Sequence, residues 1–198
     1  MADLIDRYQE ALVTITDEAE SLLGPVWAAW IAGTVAEGDL RQFIEAITVR
    51  AATRASLLAS HVATAAASRF TGVDHAPAAT IPRIVFADPA GTIPAGVPTI
   101  RASISLSAAY PTRDGMGFVT RQIRRSVYDT ASQTWTREVF PTTKEQKVTY
   151  WTRRAEAGTK CKVCTGLADG TVMRYDTEMI RHAGCRCVQQ PAEYKEQA

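Results

Sequence analysis

No apolar run in this sequence approaches the roughly 18–20 residues needed to cross a bilayer, so no membrane-spanning role is expected. The start, Met1-Ala-Asp-Leu-Ile-Asp-Arg7, lacks the basic stretch and apolar block of a secretory signal. The chain is therefore expected to stay in the cytoplasm where it is made, or to leave it inside a particle. No dense Lys/Arg block, internal repeat or low-complexity tract occurs. His-Glu-x-x-His, Gly-x-Ser-x-Gly and a phosphate-cradling glycine loop are all missing. Histidine is scarce, at His61, His75 and His182 only, and none stands in a pattern that suits a catalytic base. Glu18-Ala-Glu20 has the spacing of ADP-ribosyltransferase glutamates but falls on a helical segment and reads as a solvated face. An enzyme, or a binder of a small-molecule substrate, is not expected. Cysteine is absent from the first 160 residues, and all four cysteines fall at Cys161, Cys164, Cys185 and Cys187.

The rest of the composition is ordinary. Across 198 residues, 46% hydrophobic and 22% charged side chains suit a folded protein able to bury a core. The net charge of +1 conceals a division. Residues 1–48 carry nine acidic and two basic side chains, whereas residues 49–198 carry twelve acidic and twenty basic. Such asymmetry suits either two different solvated surfaces or a basic face near nucleic acid with an acidic face near protein.

Residues 1–70 read as helical. Leu4, Tyr8, Leu12 and Ile15 recur at three- and four-residue spacing, and Gly24-Pro25 is expected to break that helix. Gly38-Asp39 offers a cap for a second helix, whose apolar face (Leu40, Phe43, Ile44, Ile47, Ala51, Leu58, Val62) runs to about Phe70. Its alanine-rich second half allows close approach of another helix. Residues 71–100 place a proline every few residues (Pro77, Pro82, Pro89, Pro94, Pro98), which predicts an extended connector or arm. Residues 101–198 read as a C-terminal α+β region. A strand is expected from Ile100 to Leu106, a loop over Pro111–Gly117, a helix over Phe118–Thr130, and strands over Trp135–Phe140 and Val148–Arg154. The tryptophans Trp27, Trp30, Trp135 and Trp151 are expected as core or subunit-contact anchors. The predicted class is α+β: a helical N-terminal half, a Pro-rich connector, and a small C-terminal region closed by a Cys/His module.

That module runs Cys161-Lys-Val-Cys164, then Leu167-Ala-Asp-Gly170, then His182-Ala-Gly-Cys185-Arg-Cys187. Cys-x-x-Cys can place two sulfurs on one metal ion, and a second ligand pair about twenty residues later would close a tetrahedral site suited to zinc. Five candidates compete for four positions. Cys161, Cys164, His182 and Cys185 are the first choice, with Cys187 as substitute, and the four cysteines alone could also suffice. With every position filled by protein, such a site is structural, because a catalytic zinc keeps one position for water. A disulfide formed after release from the cell, or plain reduced thiols, remain alternatives. A thioredoxin-like redox role would need a βαβ context that the sequence does not offer.

The order Cys-x-x-Cys, Leu-x-Asp-Gly, His-x-x-Cys-Arg-Cys, preceded by a tryptophan at Trp151, resembles the C-terminal end of the Mu F-type phage minor head proteins. The pattern falls on Cys161, Cys164, Asp169, Gly170, His182, Cys185, Arg186 and Cys187. The helical start is compatible with actinobacterial phage members. Ala183-Gly184 stand where the family often has Pro or Asn, a departure that leaves the ligand positions untouched. The resemblance covers about forty residues. It implies a structural role in the virion, in the head or near the portal vertex, with the portal or major capsid protein as partner and weak contact with packaged DNA.

Two further readings stay open. Arg121, Arg124, Arg125, Lys144, Lys147, Arg153 and Arg154, with Lys160 and Lys162, could line a basic surface on DNA, making the chain a zinc-containing nucleic-acid-binding module or a host regulator. A capsid maturation protease is the remaining alternative, and no nucleophile–base pair in the sequence supports it.

Overall fold

The computed structural model describes residues 2–77, 83–86, 99–102, 115–140, 148–156, 158–180 and 185–194. Helix α1 (Ala2–Ile31) buries Ile5, Tyr8, Leu12, Ile15, Ala19, Leu23 and Trp27, one residue every three or four. The expected break at Gly24-Pro25 does not occur, and Pro25 lies inside α1. A proline in a helix interior costs about 3 kcal/mol. Leu23 and Trp27 keep the stripe in phase across it, and burying side chains of this kind contributes about 1.5–3 kcal/mol apiece. Packing therefore outweighs the missing backbone bond.

Gly33, at φ 76°, takes the left-handed conformation that ends α1, as helix ends commonly require. Helix α2 (Glu37–Thr71) begins one residue before the expected Gly38-Asp39 cap, which therefore lies inside it. Its N-cap is Ala36, with no side-chain bond, and Glu37 and Asp39 instead place negative charge in the first turn. Ala51, Ala55, Ala59, Ala63, Ala66 and Ala67 are buried on α2, and their small size lets helix α3 (Gly115–Val139) lie close along it. The Ser56 and Thr134 hydroxyls meet at 2.8 Å in that seam.

Helix α3 differs from expectation at both ends. It starts inside the expected 111–117 loop and continues through the expected Trp135–Phe140 strand. Val119, Ile123, Val127, Ala131, Trp135 and Val139 repeat every four residues and are all buried. Trp135 and Val139 fit a four-residue repeat as well as an alternation, and the helical core claims them.

Strands β1 (Arg83–Phe86) and β2 (Thr99–Ala102) pair in parallel. The second overlaps the strand expected from Ile100, while residues 103–110 lie outside the described residues. The C-terminal sheet has the order β4-β3-β5 and is antiparallel: β3 (Tyr150–Arg154), β4 (Val172–Arg174) and β5 (Val188–Ala192). Pro191 is tolerated because β5 is an edge strand. The short helix α4 (Lys162–Leu167) lies between β3 and β4.

Sheet and helices share one apolar core, from Ile5 of α1 to Val188 of β5. Trp135 anchors the joint. Its ring lies 5.0 Å from that of Tyr8, and its Nε1 donates to the Gln189 carbonyl at 2.9 Å. Gln189 also accepts from the Thr136 hydroxyl through Oε1, and Gln9 donates to the Arg186 carbonyl at 2.9 Å. The architecture is α+β, as the sequence predicts, and Trp27, Trp135 and Trp151 are core residues.

Candidate metal centre

Cys164 sits on α4, and Cys185 and Cys187 lead into β5. Alternate residues of an extended chain point to the same side. Cys185 and Cys187 accordingly face inward together, while Arg186 between them is half-buried and pairs with Glu156. The three sulfurs lie within 4.8 Å of one another, with Cys164 and Cys185 3.8 Å apart. All three residues are buried and close enough to hold a metal ion. Sulfurs bound tetrahedrally at ~2.3 Å lie about 3.8 Å apart, so the spacing suits a thiolate-bound ion. No disulfide joins them.

Cys161 precedes α4 as its N-cap and approaches Cys164. It stands partly exposed on the wall of a cleft of about 370 Å³ that also reaches Cys164 and Cys187. Cys187, the substitute by sequence, is therefore one of the three sulfurs the fold gathers. His182 lies outside the described residues.

Burial pushes the Cys164 thiol up to about 12. The Cys187 thiol is raised by its hydrogen bond with Cys185 and then by burial. Without a metal these thiols hold their protons. A bound cation would expel them, because the thiolate is the ligand.

The Asp169-Gly170 step has a local role. Asp169 Oδ1 accepts the Thr171 N–H at 2.9 Å, and Gly170 takes φ 86° in the turn that leads to β4. Hydrogen bonds from Thr171 hold the Asp169 carboxyl below its usual range. Trp151 is fully buried, and its Nε1 donates to the Arg174 carbonyl, tying β3 to the end of β4.

Among the described basic candidates, several are already taken up in ion pairs. Arg124 pairs with Glu20 at 2.6 Å, Arg154 with Asp6 at 2.6 Å, and Arg125 with Asp129 on its own helix. Arg153 is buried on β3 and donates to the Ile180 carbonyl, leaving Nε and Nη1 without a hydrogen-bond partner. Arg121 is exposed. Lys144 and Lys147 lie outside the described residues. The acidic start and basic remainder of the chain are thus partly complementary within the fold, as Glu18 with Arg54 shows again.

Nothing resembling a catalytic pair occurs among the described histidines. His61 is exposed on α2. His75 Nε2 meets Thr71 Oγ1 at 3.0 Å, and the same hydroxyl also bonds the Ala67 carbonyl at 2.9 Å at the end of α2. Glu18 and Glu20 are held in their ion pairs with Arg54 and Arg124. No helix among the described residues is long and apolar enough to cross a membrane. No family model, curated protein or solved structure matches the chain.

Sequence reasoning placed Arg153 on an exposed basic surface, whereas it is buried, and it missed Glu156. Strand alternation with Trp151 would have turned Arg153 inward; no local signal singles out Glu156 as the partner of Arg186.

Proposed function

We propose that the chain is a structural minor capsid protein of a tailed phage, acting in head morphogenesis in the head or near the portal. It would be built into the virion after assembly in the host cytoplasm. One observation carries this reading: three of the four cysteines whose order resembles the Mu F-type ending gather into one buried cluster. In this reading the cluster holds a structural zinc, with Cys161 as fourth ligand and His182 as the competing one. A closed thiolate site supplies folding energy to a small unit and leaves no position for a reacting water. The function is non-catalytic, and its partners are the portal or major capsid protein.

A dedicated nucleic-acid-binding module is supported less well, because Arg124 and Arg154 are already paired with carboxylates of α1. Contact with packaged DNA would be weak. A capsid maturation protease has no nucleophile–base pair in the sequence to support it.

Co-expression of the full chain with portal and major capsid proteins encoded beside its gene tests the proposal. The expected result is co-sedimentation with assembled heads. Absence of such neighbouring genes, or a chain that stays soluble while heads form normally, would overturn it. Tight, steeply salt-dependent DNA binding by the isolated chain would favour the nucleic-acid module instead.

A further inference from the structure

The four cysteines are not equivalent. Cys164, Cys185 and Cys187 are 3%, 5% and 3% exposed and mutually close. Each is fixed by the fold: Cys164 through α4, Cys185 and Cys187 through the chain that enters β5 and packs beneath α1 and α3. Cys161 differs on three counts. It is only partly buried, it is not one of the mutually close set, and it stands on the cleft wall.

The chain leading to it has no regular structure. Gly158 turns at φ 73°, and the Cys161 N–H is held by the Thr159 hydroxyl at 3.3 Å. The cleft beside it is also lined by Cys164 and Cys187. An ion entering by that route meets two fixed ligands and one displaceable one.

Resting on the metal-site reading above, we infer that the ligands divide into a fixed triad, Cys164, Cys185 and Cys187, and one exchangeable ligand, Cys161, with the cleft as the path of the ion. In exchange, the Cys161 sulfur leaves the ion and takes a proton from solvent, while a water molecule occupies the vacated position. No oxidation or reduction is involved. A shell with one labile member releases its ion stepwise, through a three-sulfur intermediate open to the cleft.

The test uses the full chain loaded with zinc under reducing conditions, with release to a chromophoric chelator followed over time. Wild type is expected to hold about one zinc per chain. Cys161→Ser is expected to keep that zinc but release it about tenfold faster or more, at least the loss typical when even an outer partner of a metal ligand is removed. Cys164→Ser and Cys187→Ser are expected to retain none. Loss of zinc from Cys161→Ser to the same extent as from Cys164→Ser, or release at the wild-type rate, would overturn the division of labour. Wild type without zinc would overturn the metal reading itself, a separate outcome. Alkylation of zinc-loaded wild type during slow release, read by peptide mass, avoids any folding defect of the variants. Cys161 should be labelled first, and labelling that starts at Cys185 would contradict the inference.

Discussion

The helices and the C-terminal sheet solve the same problem by different means. Helices α1 and α2 run for 30 and 35 residues, long enough for an apolar stripe to bury a side chain at nearly every turn. The C-terminal strands have five, three and five residues, and α4 has six. Among the described residues of this region, the buried large apolar side chains besides the cysteines are Val148, Trp151, Met179 and Val188. So small a unit is marginal on apolar burial alone and needs a staple. Long elements hold themselves by periodicity; on the metal-site reading proposed above, the short ones would depend on the sulfur cluster and on their grip on the helices.

The hardest test of that contrast is Cys164→Ser, compared with wild type after both are prepared with zinc under reducing conditions. Metal binding energy is folding energy for a small site, on the order of 10 kcal/mol. Hydrogen exchange should show residues 148–192 losing protection while α1 and α2 keep theirs. Retained protection in the sheet would mean the cluster is not its staple.

Trp135→Ala attacks the joint. The side chain is 1% exposed, stacks near Tyr8 and bonds the Gln189 carbonyl. Truncating a buried aromatic of this size costs about 3–5 kcal/mol. Because the residue serves both regions, chemical denaturation should show helices and sheet destabilised together. A loss confined to one region would argue that the shared core does not couple them.

Acidity should act oppositely on the two states of the module. A thiol raised from 9.0 to about 12, as at Cys164, favours the folded metal-free form below its ordinary value. That stabilisation is lost as pH rises from about 9 towards 12. The metal-bound form must expel those protons, so its apparent zinc affinity should fall as pH drops, by up to ~tenfold per pH unit for each proton expelled. Titration of zinc binding at about pH 6, 7 and 8, all below the ordinary thiol range, checks the sign. Affinity independent of pH would mean the ligands are not these thiols.

Much of this was open to reading in the chain itself. Three- and four-residue apolar spacing gives α1 and α2, and the alternating Cys-Arg-Cys turns Cys185 and Cys187 to one side. The fold brings Cys164 to them across about twenty residues and leaves Cys161 outside the close set. The errors arose where a local rule met tertiary packing. Pro25 reads as a break, but Leu23 and Trp27 on either side of it hold the helix in register. Trp135-Thr-Arg-Glu-Val-Phe140 alternates like a strand, yet the four-residue repeat from Val119 carries α3 through Val139. The pairing of Asp6 with Arg154 spans 148 positions, and no local pattern announces it.

That pair gives the smallest effect and the finest test of how the two regions are joined. Arg154 of β3 donates to Asp6 Oδ1 through Nη2 at 2.6 Å and Nε at 3.3 Å. The side chains are 28% and 35% exposed, so water and salt screen much of the attraction. Exposed pairs of this kind contribute about 0.2–1 kcal/mol. Asp6→Asn should therefore lower stability by less than ~1 kcal/mol at low salt, and the difference from wild type should shrink in ~1 M salt, where the Debye length is about 3 Å. Adding Glu20→Gln, which removes the partner of Arg124, should increase the deficit roughly additively, since the two pairs share no residue. A deficit unchanged by salt would show that Asp6 acts through packing. The acidic start of the chain would then have to be explained by a partner rather than by its own arginines.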